Sequence, residues 1–378
     1  MKTPETSRLF TRWKNPNSGV ASWILTERLA PVQQSFYYTH PSFTDDGRFL
    51  WLGCGFPPAG GRYAQQVLGV VDFERDEMRV YPETQFPSAR PVVDRTTGDV
   101  YWGNQLDIWK RGPEANDQPV LVNRFPKELA HGKLERLATH PTFSADRRSL
   151  NLDTRFVLPN GNAVTHIGEL PLDGAPYVLW QTVENQFLDH ALFSPTDPAV
   201  QMVAYEYWQD HKDRQPFDGA QLYHRLWWIR RGEKLRPILQ EPVSHSGHEW
   251  WDSGGQHVWY VHYGVGIKKV NLATRAETIR WPGHLAHGHS DRTGRYLVTD
   301  RMADPVVSDC HVAFLDTVTG RQVEIVNRPP LAAGLTQCVH LHPHPQFCQN
   351  DRYICYTTTV HDRVDVALVT VTDLNRFN

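Results

Sequence analysis

Six histidines of this chain stand at one recurring position of a repeated phrase. Imidazoles suit chemistry: they exchange protons near neutral pH and ligate divalent metals. The phrase opens on His, carries an aromatic or small residue three places on, then a polar turn, often a Gly seven places after the His, and alternating apolar residues. It starts at His40 (HPSFTDDGRFLWLG), His140 (HPTFSADRRSLNLD), His190 (HALFSPTDPAVQMV), His248 (HEWWDSGGQHVWYV), His287 (HGHSDRTGRYLVTD) and His344 (HPQFCQNDRYICYT). A seventh copy, PVVDRTTGDVYWG, begins at Pro91 and lacks the His. Equivalent positions of a closed circular repeat face one axis, so these side chains are expected to gather in space.

The densest cluster is HLHPHPQF, with His340, His342 and His344 at strict alternation. An extended segment puts alternate residues on one side, and Pro343 and Pro345 exclude a regular helix. Three imidazoles on one side can converge on a cation, with the amide oxygen of Gln337 nearby. His287 belongs to the preceding unit and should reach the same place. His248 stands one unit earlier still, next to the expected metal site, where a proton acceptor is useful. The bland alternative is a polar strand start, or a histidine that hydrogen-bonds the next blade. His40 and His190 should line the same axis and meet a substrate there. In YHRLWWIRRG, Arg225 precedes an aromatic strand and can hold a carboxylate through two parallel hydrogen bonds. Arg230 and Arg231, at the far end of that strand, read as a solvated turn.

The elements that must position these residues are strands. Copies start 39 to 58 residues apart, and units of that size with about four short strands each are the mark of propeller blades. Within the units FLWLGCG, DVYWGN, AVQMVAYEYW, HVWYVHYGVGIKKV and YICYTTTV alternate as half-buried strands do, and DDG, TTGD, SGG and RTG supply turns between them. Helical periodicity is confined to 126–138, which reads as a loop element of the third blade. The stretch VASWILTE, at about 20–27, can complete the last blade and remove two sheet edges. The expected fold is all-β, a seven-bladed β-propeller of four-stranded antiparallel blades. The phrase runs nearly end to end without a linker, so residues 1–378 read as one domain.

Composition narrows the function. A net charge of −3 with interspersed signs gives no general footing for nucleic acid or an anionic membrane. An anionic ligand must therefore be met locally. No apolar run reaches membrane-spanning length. Five cysteines without a CxxC pair, and a polar start lacking a secretory core, point to the cytoplasm. Elbow, P-loop, zincin and dinucleotide motifs are absent.

The chain resembles the oligogalacturonate lyase family of polysaccharide lyases, through HALFSPTDP, RLWWI, GHEWW, HGHSDRTG and HPHPQF, and over most of its length from WKNPNSGV onward. The resemblance implies a seven-bladed propeller that cleaves short pectic oligomers by β-elimination with a manganese-like divalent cation. It implies that His287, His342 and His344 bind metal, that His248 is the base, and that Arg225 holds the substrate carboxylate. Where the family carries a metal-binding Gln, three residues before the first His of HPHP, this chain has Val339, which leaves Gln337 or His340 to supply that ligand. The departure admits a relative acting on another uronate. The implied partner is a small anionic oligosaccharide, and a homodimer stays open.

Two other readings compete. A non-catalytic sugar- or protein-binding propeller has little need for so many imidazoles about one axis. A glycoside hydrolase needs two carboxylates in the pocket. No slot supplies one, and strand parity should point Asp189 and Glu249 away from the axis.

Overall fold

The computed structural model describes residues 1–56, 66–207, 220–301, 311–327 and 342–376. Gln337 and His340 lie outside them, as do Cys310 and Cys338. The described strands form seven antiparallel sheets, six of four strands and one of five, so the chain is an all-β seven-bladed propeller. The first strands of the blades are Val32–Gln34, Ala89–Val93, Lys133–Arg136, Leu188–Phe193, Ser246–Trp251, Gly288–Ser290 and Gln346–Cys348. They line the axis. Fourth strands such as Val120–Arg124 and Val178–Glu184 are largely exposed. The second and third strands of the first blade, Phe49–Gly55 and Gln66–Asp72, are mostly apolar and buried at every position. A strand covered on both faces reads as a continuous apolar run.

The repeated phrase is a repeated turn. A backbone hydrogen bond closes it from Thr44 to Phe49, Asp94 to Asp99, Ser144 to Ser149, Ser194 to Val200, Asp252 to His257 and Asp291 to Tyr296, at 2.8–3.0 Å. Side chains reinforce it. The Thr44 and Ser144 hydroxyls each donate to an aspartate two residues on, Asp46 and Asp146, at 2.6 Å. Between blades the core is aromatic: Trp51 is fully buried and donates through Nε1 to the Gly98 carbonyl of the next blade's turn, at 2.9 Å.

The last sheet has the order Phe10–Lys14, Ala21–Leu25, Asp365–Thr370, Tyr353–Thr358, Gln346–Cys348. Trp23 pairs with Leu368 and Ile24 with Ala367, so an early strand is built into the last blade. The stretch 126–138 departs from the loop expected of it. It holds one 3-10 turn, Lys127–Leu129, and then the inner strand of the third blade. Gly132, at φ 88°, breaks any helical continuation and lies against the Val157 backbone. Among the described residues, no helix is long and apolar enough to cross a membrane.

Candidate active site

A cavity of about 540 Å³ opens on the axis, and His40, His140, His190, His248, His287 and His344 all line it. A backbone irregularity aims some of them. In the fourth blade the ladder skips from Asp189 to Leu192, and in the fifth from Gly247 to Trp250, leaving two residues of each inner strand inside a bulge. The first residue of each bulge is the slot histidine, His190 at φ 50° and His248 at φ 52°, and His344 is likewise left-handed at 46°. Such a backbone costs a non-glycine residue about 1–2 kcal/mol, strain of the kind that collects at functional sites.

The second blade bulges at the same place, from Ala89 to Val92, with Arg90 as its first residue. Arg90 also stands four residues before its turn residue Asp94, the offset that separates His40 from Thr44 and His190 from Ser194. The seventh slot is therefore Arg90 and not Pro91. Counting to the turn glycine misplaced it, because Gly98 stands four residues after Asp94 where Gly47 stands three after Thr44. Arg90 lines the cavity, as does Arg136.

Two groups of imidazoles result. Ring centroids are 5.3 Å apart for His40 and His140 and 4.8 Å for His140 and His190. On the other side, separations are 3.8 Å for His248 and His287, 5.2 Å for His287 and His342, and 4.4 Å for His287 and His344. Tyr37 fills the space between the groups, stacked on His140 at 3.9 Å and edge-on to His344 at 4.8 Å. Sequence reasoning did not single out Tyr37, although the aromatic pair just ahead of His40 was a visible signal.

Ligand nitrogens of His287, His342 and His344 all lie within 4.8 Å of one another. Asp300 accepts a hydrogen bond from His287 Nδ1, with both carboxylate oxygens at 3.0 Å, which turns Nε2 toward the cluster. Burial pushes the His287 pKa down to about 3, so the ring is neutral, the form a metal takes. The glycine after His287 brings this blade close to its neighbour: a Cβ on Gly288 would lie 2.7 Å from Trp250 Cη2. These residues fit a divalent cation by donor type, convergence and support. Asp189, His190 and Glu206 form a second cluster of that compactness.

His248 Nδ1 lies 2.9 Å from the Ala286 carbonyl, which can only accept. Nδ1 thus carries the hydrogen and Nε2 keeps a lone pair. The Tyr263 hydroxyl is 2.8 Å from the same Nδ1. Burial and the neighbouring His287 and Arg225 hold the His248 pKa well below its ordinary value. His190 is the opposite case. Burial alone would lower its pKa, but Asp189 and a 2.8 Å hydrogen bond from Nδ1 to Glu249 Oε1 outweigh it, and the pKa rises to about 9.

The parity expectation for the flanking acids fails at Asp189, which lines the cavity because the bulge resets the alternation. Glu249 accepts from His190 and from Arg225 Nε, the latter at 3.1 Å. Arg225 itself is only 3% exposed and also donates from Nη1 to Glu206 Oε1 at 2.5 Å. It is not among the residues that line the cavity, whereas its partner Glu206 is. His40 is also largely committed: Nε2 meets the Pro141 carbonyl at 2.8 Å and Nδ1 the Thr39 hydroxyl at 2.9 Å.

No family model matches the chain. The oligogalacturonate lyase of Dickeya dadantii (strain 3937) is 25% identical over 213 residues, 50% of this chain and 51% of that protein. The match thus spans about half the length of the curated relative. A solved oligogalacturonate lyase in complex with manganese superposes with a TM-score of 0.73, at 16% identity over 98% of both chains. An oligogalacturonate lyase from Vibrio parahaemolyticus gives 0.75, at 16% identity over 96% of both chains. At that identity the two structures speak for the fold, and the resemblance read from the sequence agrees with all three.

Proposed function

We propose that this chain is a metal-assisted lyase that cleaves short oligogalacturonates by β-elimination. The observation that carries the reading is a half-buried histidine with a free-base Nε2, His248, packed directly against a three-imidazole cluster fit for a divalent cation. The names of the matched proteins supply the substrate class.

In such a reaction the C5 proton, α to the C6 carboxylate, is removed and the C4 oxygen departs. A bound divalent ion, manganese by analogy with the matched structure, supplies positive charge to the carboxylate as negative charge builds there. His287, His342 and His344 would hold it, with Gln337 proposed as a further ligand. His248 takes the C5 proton on Nε2, and the Ala286 carbonyl fixes the ring. Arg90 and Arg136, with His40 and His190, meet the anionic sugar from the opposite wall. Arg225 is assigned to substrate handling through Glu206, which lines the cavity and is its ion-pair partner.

Asp189 and Glu206 place two carboxylates on the wall, with oxygens within 4.8 Å, near the separation of about 5 Å used by retaining glycosidases. Hydrolysis is therefore the second reading. One assay separates the two. Mixed with digalacturonate and trigalacturonate, the chain should generate the ultraviolet absorbance of a 4,5-unsaturated uronate, which EDTA suppresses and Mn²⁺ restores. New reducing ends without that absorbance would establish hydrolysis instead. His248→Ala should abolish turnover while metal content stays unchanged; loss of metal in this variant would move His248 into the ligand set.

A further inference from the structure

We propose that His190 is the general acid of this elimination, delivering its Nε2 hydrogen to the sugar oxygen that leaves C4 while His248 takes the proton from C5. The inference rests on the lyase reading above.

His190 and His248 are the same residue of the repeat in adjacent blades. Both open a bulge, both are left-handed and both line the cavity. What differs is the group facing Nδ1. For His248 it is a backbone carbonyl, which selects a tautomer and adds no charge. For His190 it is the Glu249 carboxylate, and Asp189 Oδ2 stands 4.0 Å from its Nε2. Carboxylates on both edges of a ring stabilise the imidazolium, which carries a hydrogen on each nitrogen. Two equivalent histidines are thus biased apart, one toward base and one toward acid.

Glu249 couples them. It directly follows His248 in the chain and bonds His190 across the blade boundary. Arg225, clamped between Glu249 and Glu206, is a positioning residue for this carboxylate. Against the charge on His190 act Arg225 and the imidazoles within electrostatic reach, His140 at 4.8 Å between ring centroids and, beyond it, His40, His248 and His287; Tyr37 faces the ring at 5.8 Å. Asp189, His190 and Glu206 could instead hold a cation. The Arg225 guanidinium on Glu206 opposes that, because it already occupies the carboxylate with positive charge.

The step balances. The C5–H pair becomes the C4=C5 double bond, the C4–O pair stays on the departing oxygen, and that oxygen takes the His190 proton. His248 ends protonated and His190 neutral, and exchange with water resets both.

The test varies the leaving group, since fluoride departs without needing a proton. Digalacturonate is compared with a methyl galacturonoside carrying fluorine at C4, for the unaltered chain, His190→Gln, His190→Asn and Tyr37→Phe, with Mn²⁺ binding measured for each. In the His190 variants, elimination from digalacturonate should fall about 100- to 10,000-fold, the usual worth of general acid catalysis, while fluoride elimination falls far less. Retained fluoride elimination also certifies that the variant is folded. Equal losses on both substrates in variants that still bind Mn²⁺ would overturn the assignment. So would a selective loss in Tyr37→Phe that His190→Gln lacks, or two Mn²⁺ ions per unaltered chain falling to one in His190→Gln. Those results leave the lyase reading standing. Absence of unsaturated product from the unaltered chain on both substrates overturns that reading, and the assignment with it.

Discussion

Asp300 organises the candidate metal centre from three directions. It accepts from the His287 backbone N–H at 2.8 Å, from His287 Nδ1 at 3.0 Å and from the His344 backbone N–H at 3.1 Å. One carboxylate therefore sets the ring of one proposed ligand and the chain position of another. Removing such a support costs about 10- to 100-fold in metal affinity, and Asp300→Ala should weaken Mn²⁺ binding to that degree in a calorimetric titration. Unchanged affinity would take His287 out of the ligand set. A second prediction concerns pH. The His190 pKa stands above its ordinary value, at about 9, because Asp189 and Glu249 outweigh burial. The protonated, donating form is thus present throughout the neutral range and is lost as pH rises through about 9. Turnover on digalacturonate should fall along that limb, and His190→Gln should remove the limb from its residual activity; a limb that persists has another origin. None of this was legible in the sequence for Arg225, whose partners Glu206 and Glu249 lie 19 and 24 residues away along the chain.

At the level of single strands, the reading by period two succeeded until a bulge intervened. The slot histidines were found because each sits at a fixed distance from a turn with its own side-chain chemistry, as Thr44 with Asp46 and Ser144 with Asp146. Asp189 was misdirected because an extra residue in the inner strand inverts the alternation, and Arg90 was overlooked because the glycine of its turn stands one place later than in the first blade. Bulges carry no sharp sequence signature, so this part of the site appears only with the ladder. Arg90 then acquires a use. Placed where other blades present an imidazole, a guanidinium can engage a uronate carboxylate. Arg90→Ala should raise KM for trigalacturonate about tenfold or more while leaving metal affinity unchanged, taking a charge-assisted hydrogen bond as worth about 1.5–3 kcal/mol. An unaltered KM would exclude Arg90 from substrate contact.

For the whole molecule, the repeat alone foretold seven units, since each blade buries its faces only against neighbours and so keeps the same apolar and turn positions. The ring is held shut by pairing between residues 21–25 and 365–370. Ile24 is fully buried at this seam, in a core with Ile354, Ala367 and Val369. Ile24→Ala should cost about 2–5 kcal/mol, read from the midpoint of denaturant unfolding; a smaller change would mean that the seam carries little of the ring's stability. The seam also imposes an order on the birth of the protein. Trp23, paired with Arg12 on one side, must wait for its other neighbour while more than three hundred residues are made, until Leu368 leaves the ribosome. Until then the sheet edge left by residues 21–25 is open, and His40, His140 and His190 belong to an arc without its opposite wall. The cavity is thus a late product of synthesis, and a nascent chain stalled before that strand has imidazoles but no enclosed place to use them.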